Sequence, residues 1–265
     1  MTLRQLSFAL ALIVSAHTAT GAPCSADDLE QHVSGVSQCL LMRRYGPLEP
    51  EAMVVWLHGD VSSGGPANYH FAIAQGAASE LSSLSVLSIA LVRPGYPDGS
   101  GESSSVAVLH GGRSDHYTKE NLAEVGAAIE RLRARFKPKT VVLVGHSGGA
   151  ATAAVLLGMN PGLVNAAVLV SCPCDLVAWR SGRREWDRSE NPIKWAERVG
   201  ASTKVVALTG ARDDNTLPQL AQAYVEALRS RGVEAGFLSL PDDTHNSALR
   251  SPEVLNAVRQ LLTPR

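Results

Sequence analysis

A single serine lies where an apolar stretch of the chain passes abruptly into an alanine-rich one. The run Val141–Val144 leads into Gly145, Ser147 and Gly149 in a Gly-x-Ser-x-Gly pattern, and the small residues 150–154 follow. This order predicts a buried strand, a sharp turn that carries the serine, and a helix packed close behind it. The glycines would let the strand and helix backbones pass where a Cβ would collide. We therefore interpret Ser147 as a candidate nucleophile.

A nucleophilic serine needs a base to take its proton and an acid to orient that base. Of the eight histidines, only His245 lies beyond the last acidic strand end, in the loop after the final predicted strand, and it is the candidate base. Asp213, which follows a strand predicted over 204–209, is the candidate acid. Asp214 is the alternative acid, although it could instead support the N-terminus of the following helix. Asp175, which follows the preceding strand, is a fallback for the acid.

Attack on an acyl group creates an oxyanion, which backbone amides can stabilise. The amide of Gly148, directly after the serine, is one candidate donor. The second is the amide of Asp60, which we prefer to that of Gly59, in the loop after a hydrophobic strand. The Asp60 carboxylate is expected to point away, because negative charge beside a developing oxyanion is unfavourable. His58 and His146 are interpreted as structural histidines.

Hydrophobic periodicity predicts alternating strands and helices that would position these residues. Strands are predicted over 37–44, 52–58, 84–92, 140–144, 163–170, 204–209 and 235–240, and helices over 69–81, after Thr118, after Ser147, after a capping box formed by Thr216 and Gln219, and from Pro252. Such alternation favours a mostly parallel sheet with helices on both faces. Ligands on these sheets bind beyond the carboxyl ends of the strands, where the candidate residues would converge.

These features together resemble the α/β-hydrolase superfamily over roughly residues 37–265. The resemblance rests on His58-Gly59 after a strand, the Gly145–Gly149 motif, Gly210-x-x-Asp213 and the late His245. It implies the α/β-hydrolase fold and a serine hydrolase, with nucleophile, acid and base in that chain order. The sequence has no histidine-rich ligand spacing, so we expect no metal, and we expect no cofactor.

Two further segments, Gly210–Asn215 and Tyr117–Asn121, are similar to the catalytic domains of prolyl-oligopeptidase-type serine peptidases and their single-domain relatives. In the Asp-Asp version of that motif the first aspartate is the acid, which supports Asp213. Those peptidases usually carry a propeller domain ahead of the catalytic one, for which a chain of 265 residues has no room. Their substrate gating is therefore not carried over.

Substrate selection is expected in loops at the same sheet edge. Trp179 and Trp186 fall in an irregular region, and residues 172–200 would form a small cap-like insertion whose aromatic side chains line a pocket. An ordinary surface excursion, with the tryptophans packed on the domain, is the alternative. Arg93 and Tyr96 lie in another loop and are predicted to bind a substrate carboxylate or carbonyl.

The first 22 residues have the pattern of a secretory signal peptide, with Arg4, an apolar run over 6–14 and small residues up to Ala22. The remaining residues, 23–265, would form one catalytic domain. Export would place the protein in the periplasm or outside the cell.

Export also means that the cysteines would meet an oxidising compartment, where disulfides persist. Four cysteines, Cys24, Cys39, Cys172 and Cys174, allow three pairings, and the sequence leaves the choice open. Cys24 bonded to Cys39 would tie the mature N-terminus to an early strand.

Composition limits the range of partners. A net charge of −1 and a charged fraction of 18% describe a globular protein without the basic excess that favours nucleic acid or anionic membranes. We expect a small-molecule or short-peptide substrate, no nucleic acid and no stable membrane anchor; the oligomeric state is open.

The leading hypothesis is a secreted serine hydrolase that cleaves an ester through an acyl-enzyme on Ser147. A small exported serine peptidase with the same residues is the alternative. A non-catalytic binding protein on this fold is a third hypothesis.

Overall fold

The computed structural model describes residue 24 and residues 29–62, 64–101, 103 and 117–263. The signal peptide predicted at 1–22 lies outside the described residues. The strands are β1 (His32–Ser34), β2 (Cys39–Tyr45), β3 (Ala52–Leu57), β4 (Val86–Leu91), β5 (Thr140–His146), β6 (Ala166–Val170), β7 (Lys204–Gly210) and β8 (Glu234–Leu240). The α-helices are α1 (Tyr69–Glu80), α2 (Lys119–Phe136), α3 (Gly148–Met159), α4 (Leu176–Trp179), α5 (Pro192–Trp195), α6 (Pro218–Arg229) and α7 (Pro252–Leu262).

All of these strands join one sheet in the order β1-β2-β4-β3-β5-β6-β7-β8. β2 runs antiparallel to its neighbours β1 and β4, and the pairs from β4 to β8 are parallel. The mostly parallel sheet predicted from the sequence is confirmed. Within the described residues, no helix has both the length and the apolar character needed to cross a membrane.

The core lies on both faces of this sheet, as expected when helices cover both sides. Along β5, Val141 and Leu143 join a cluster with residues of α2, α3 and α6, whereas Val142 and Val144 join a cluster with residues of α1 and α7. Successive side chains of β5 thus point alternately into two hydrophobic layers, and β5 is almost completely buried.

Parallel pairing brings the carboxyl ends of the strands to one edge. In the register, Leu57 at the end of β3 lies opposite Gly145 of β5, and Gly210 at the end of β7 lies opposite Leu240 of β8. The loops after β3, β5, β7 and β8 therefore open at the same edge of the sheet, where a site for ligands is expected.

Two local features differ from the sequence prediction. The short strand β1 was not predicted, because three residues are too few to show a periodicity. The capping box at Thr216 is wrong: Leu217 occupies the N-cap of α6, no side chain caps it, and Pro218 supplies the first turn. A proline at this position needs no amide partner, so the helix begins without a capping side chain.

The cysteines pair as Cys24–Cys39 and Cys172–Cys174. The first disulfide ties the segment ahead of β1 to the start of β2. The second lies directly after β6, at the sheet edge that carries the loops described above. Of the three pairings open to the sequence, the structure has the one that joins sequence neighbours.

The backbones of β5 and α3 approach each other closely at two glycines. A Cβ on Gly145 would collide with the backbone of Gly149, and a Cβ on Gly149 would collide with the carbonyl groups of Leu57 and His58. Both glycines are therefore required by contact with backbone, which cannot rotate away as a side chain can.

We predict that Gly145→Ala lowers the free energy of unfolding by about 2 kcal/mol or more, since the added methyl group displaces backbone. Gly76→Ala is the matched control, because it adds the same methyl group to α1 where nothing lies within 4 Å. That substitution should raise the free energy of unfolding by about 0.5–1 kcal/mol. Urea unfolding of both variants measures the difference, and equal stabilities would contradict the close approach.

Candidate active site

Ser147 links the end of β5 to the first residue of α3 in a strained conformation. Its φ of 52° and ψ of −119° place a residue with a side chain in a region that L-amino acids rarely occupy. Backbone hydrogen bonds fix the turn on both sides. The Ser147 amide donates to the carbonyl of Val170 at 2.8 Å, and the Ser147 carbonyl accepts from the amides of Ala150 and Ala151. Strain of this kind, about 1–3 kcal/mol, is typical of functional turns.

His245 approaches this serine from the loop after β8. Its Nε2 lies 3.0 Å from Ser147 Oγ, and its Nδ1 lies 3.0 Å from Asp213 Oδ2. Since an ionised carboxylate only accepts, Nδ1 carries the proton and Nε2 is left to accept from the serine hydroxyl. The side-chain amide of Asn215 lies 3.3 Å from the same Nε2. The structure thus brings together the nucleophile, acid and base predicted from the sequence.

Asp213 is held as a carboxylate by several donors. Its Oδ1 accepts from the amides of Asn215 at 3.0 Å and Thr216 at 2.8 Å, and its Oδ2 accepts from the Thr216 hydroxyl at 2.8 Å. Burial opposes ionisation, but the bonds from His245 and Thr216 outweigh it and lower the pKa of Asp213 to about 2. Asp213 is therefore an anion across the physiological pH range.

The two alternative aspartates lie elsewhere. Asp214 is exposed at the rim of the cleft rather than beside His245. Asp175 caps α4, since its carboxylate accepts from the amides of Val177 and Ala178. The structure places neither of them against the histidine.

Thr216, which the sequence reading gave to a helix cap, belongs to the site instead. Its hydroxyl lies between Asp213 and the histidine, 3.0 Å from His245 Nδ1 and 3.1 Å from the carbonyl of Ser171. The sequence could not distinguish a helix-capping threonine from one that bonds Asp213 and His245, because either role places a polar residue near the start of a helix.

A second chain of hydrogen bonds, through Tyr69 and His146, was not predicted from the sequence. The Gly59 amide donates to the Tyr69 hydroxyl at 2.5 Å, the hydroxyl donates to His146 Nδ1 at 2.8 Å, and His146 Nε2 donates to the carbonyl of His245 at 2.9 Å. Burial lowers the pKa of His146 to about 4, so its ring is neutral and has one donor and one acceptor nitrogen, as this chain requires. Tyr69 and His146 thereby tie the loop after β3 to the backbone of His245.

The same bonds bear on the candidate oxyanion donors. Gly148 is the first residue of α3, where an amide has no acceptor within the helix. The Gly59 amide is already bonded to Tyr69, so Asp60 provides the next amide along the loop. The preference for Asp60 over Gly59 is consistent with this arrangement, and both Asp60 and Gly148 remain candidates.

The Asp60 carboxylate is enclosed by three donors. Oδ1 accepts from Arg93 Nη2 at 2.6 Å and from the Tyr96 hydroxyl at 2.9 Å, and Oδ2 accepts from the Tyr117 hydroxyl at 2.6 Å. Burial raises the pKa of Tyr117, while the surrounding Tyr96, Asp60 and Tyr117 raise that of Arg93 in spite of its burial. Each group therefore stays in the protonation state that these bonds need.

This cluster corrects the role predicted for Arg93 and Tyr96. Their side chains are 3% and 1% exposed, and neither lines the cleft at Ser147. A buried guanidinium requires a charge partner, and Asp60 is that partner. Arg93 thus balances the charge of the Asp60 carboxylate, and Arg93 and Tyr96 together orient the loop after β3 instead of facing a substrate.

A cleft of about 730 Å³ opens above Ser147 and His245. Trp179 and Trp186, here called the aromatic wall, form one side of it, with ring centroids 5.4 Å apart in an edge-to-face arrangement. Trp179 Nε1 donates to the carbonyl of Asn215, which ties the wall to the loop that carries Asp213. Trp195 instead packs against the core beside Gly158. The predicted pocket position of the first two tryptophans fits their placement in the structure.

The lowered pKa of Asp213 generates a test of this geometry. A carboxylate whose pKa is lowered by folding stabilises the fold fully above its ordinary pKa near 4, and this contribution is lost as the pH falls towards 2. We predict that Asp213→Asn lowers the free energy of unfolding by up to about 2 kcal/mol at pH 6, with a difference that shrinks between pH 4 and pH 2.

Urea unfolding at pH 6 and at pH 3 measures the effect, with Asp214→Asn as the matched control on the exposed neighbour. A difference that did not depend on pH would contradict the assigned environment of Asp213.

The architecture is shared with solved structures of enzymes. The esterase Pf2001 of Pyrococcus furiosus superposes with a TM-score of 0.64 at 16% identity, over 87% of this chain and 90% of that chain. Est1E from Butyrivibrio proteoclasticus superposes with a TM-score of 0.64 at 14% identity, over 87% of this chain and 98% of that chain. Acylaminoacyl peptidase of Pyrococcus horikoshii gives 0.63 at 15% identity, over 86% of this chain but 39% of that chain. Likeness at these identities shows a common fold.

A search of curated protein sequences returns no match. The family model described as the alpha/beta hydrolase fold, in contrast, matches residues 63–197, which is half of the chain. With the sheet order, the serine turn after β5 and this match in agreement, the chain belongs to the alpha/beta hydrolase fold family.

Proposed function

We propose that the protein is a serine hydrolase that cleaves carboxylic esters through an acyl-enzyme on Ser147. The observation that carries the proposal is the continuous chain from Ser147 Oγ to His245 to Asp213, with 3.0 Å at each step, on a strained turn. Membership of the family and the esterase and peptidase neighbours support a hydrolase.

The chemistry follows from which atoms can move protons. His245 Nε2 takes the proton from Ser147 Oγ as the oxygen attacks the ester carbonyl, and Asp213 stabilises the resulting imidazolium. The amides of Gly148 and Asp60 hold the oxyanion. His245 then returns the proton to the leaving alkoxide, which departs as an alcohol and leaves an acyl-serine. A water molecule, deprotonated by the same nitrogen, attacks the acyl-serine. The bond to Ser147 Oγ then breaks, His245 returns the proton to that oxygen, and the carboxylic acid leaves.

The relative lengths of the neighbours favour an ester over a peptide substrate. The esterases match this chain over 90% and 98% of their own lengths, whereas acylaminoacyl peptidase and a puromycin hydrolase are covered over 39% and 38%. A small exported peptidase with the same residues is the second candidate, favoured by the similarity to those two hydrolases. A binding protein without activity is the third.

We also propose that the protein is exported through the signal peptide at residues 1–22. The pairing of Cys24 with Cys39 and of Cys172 with Cys174 supports this, since disulfides persist in oxidising compartments. Mass spectrometry of protein from the secreted or periplasmic fraction would show cleavage near Ala22 if the proposal is right.

A fluorophosphonate probe tests the nucleophile directly, because it phosphonylates only a serine that an adjacent base activates. We expect stoichiometric labelling of the wild type, none of Ser147→Ala, and labelling slowed by at least about a hundredfold in His245→Gln. Ser62→Ala is the matched control, since Ser62 lies in the same cleft and should be dispensable. Equal labelling of wild type and Ser147→Ala would refute the assignment of the nucleophile.

Side-by-side substrates separate the two hydrolase candidates. We expect a short-chain aryl acetate to be turned over at least about a hundredfold faster, in kcat/KM, than an aminoacyl anilide of similar size. The oxyanion site serves both reactions, but expulsion of an amine needs a leaving group positioned for protonation by His245. Anilide turnover equal to that of the ester would favour the peptidase.

A further inference from the structure

Arginine side chains are concentrated in the cleft above the candidate nucleophile. Arg180, Arg183 and Arg250 all line it together with Ser147 and His245. Within the described part of the chain, none of the three forms a salt bridge, whereas Arg43, Arg44, Arg93 and Arg212 each pair with a carboxylate. The cleft therefore holds cationic groups whose charge the described residues do not neutralise by direct pairing.

Arg180 is held in a fixed orientation against the aromatic wall. Its Nε and Nη2 both donate to the carbonyl of Arg184, at 3.0 and 2.9 Å, and its guanidinium carbon lies 4.6 Å from the centroid of the Trp186 ring. Trp186 in turn contacts Tyr117, with centroids 5.7 Å apart. A guanidinium fixed in this way loses little conformational entropy when it binds an anion.

Three acidic residues lie beside the cleft but do not line it. Glu185, Asp187 and Glu190 line an adjacent cavity of about 330 Å³ that shares Arg180 and Trp186 with the cleft. Among the carboxylates that line the cleft, Asp60 is paired with Arg93, and Asp214 is the other described one. The cleft thus has an excess of positive charge, although the whole chain carries −1. Such a local excess in a concave site attracts anions.

We propose that this cleft selects esters that carry a carboxylate group, held by Arg180, Arg183 and Arg250, with the body of the substrate packed on the aromatic wall. The planar guanidinium fork matches a carboxylate with two parallel hydrogen bonds, and the two tryptophans offer an apolar surface beside it. Hydrolysis of such an ester rests on the proposed function, whereas binding of the carboxylate does not.

Two substrate pairs distinguish the side of the ester that carries the charge. In the first pair, mono-para-nitrophenyl adipate is compared with its methyl ester, and the charge lies on the acyl side. In the second pair, para-acetoxybenzoate is compared with its methyl ester, and the charge lies on the leaving group. In at least one pair, kcat/KM should favour the charged member about tenfold or more, as expected for charge-assisted hydrogen bonds. Equal or faster turnover of the neutral member in both pairs would overturn the proposal.

Variants then connect the preference to the arginines. Arg183→Gln/Arg250→Gln should reduce the charged-to-neutral ratio of kcat/KM by about tenfold, because the lost hydrogen bonds are made only with the charged member. Arg231→Gln/Arg259→Gln is the matched control, because it removes the same charge from exposed residues that do not line the cleft. A ratio that fell equally in both double variants would indicate a general effect of net charge and would refute recognition by the cleft.

A binding measurement keeps this inference independent of turnover. Benzoate and its neutral counterpart benzamide are titrated into Ser147→Ala, and binding is followed by tryptophan fluorescence and by calorimetry. Benzoate should bind about tenfold or more tightly than benzamide, and the difference should vanish when Arg183→Gln/Arg250→Gln is added. Fluorophosphonate labelling without any preference for benzoate would uphold the proposed function and overturn the anion site. A preference for benzoate without labelling would do the reverse.

Discussion

The crossing of two backbones at Gly145 and Gly149 is the constraint on which the rest of the site depends. Because α3 starts directly behind the end of β5, the chain has no room to turn gradually, and Ser147 is forced to a positive φ. That conformation directs the hydroxyl to the sheet edge and leaves the first amide of α3 beside it. Parallel pairing then brings the loops after β7 and β8 to the same edge, so that Asp213 and His245 meet the serine.

Electrostatic pairing keeps this edge of the sheet compatible with the proposed chemistry on an acyl group. A free carboxylate at Asp60 would repel a developing oxyanion, but Arg93 and two tyrosines satisfy both of its oxygens. Tyr69 and His146 secure the same loop from its other side and connect it to the backbone of His245. The candidate oxyanion loop and the candidate base are therefore positioned by one shared set of hydrogen bonds, mostly among buried groups whose protonation states are fixed.

The sequence predicted well the features that depend on local pattern and chain order. Ser147 followed from its strand–turn–helix context, and His245 and Asp213 followed from their places after late strands. The partners of Asp60 and the roles of Tyr69 and Thr216 could not be predicted, since each depends on side chains far away in the sequence. Arg93 was misassigned for the same reason: a loop arginine at the sheet edge can face a ligand or a buried carboxylate, and only the packing of Asp60 decides between them.

The aromatic wall has a consequence for how this protein can change over evolutionary time. The candidate nucleophile, acid and base follow the strands β5, β7 and β8, whereas Trp179, Arg180 and Trp186 lie on the segment between β6 and β7. That segment packs on Tyr117 and Ala151, and Trp179 donates to the carbonyl of Asn215, a contact with backbone that makes no demand on the side chain there. Selectivity can therefore drift, or be redesigned by exchanging this segment, while the reacting groups stay in place.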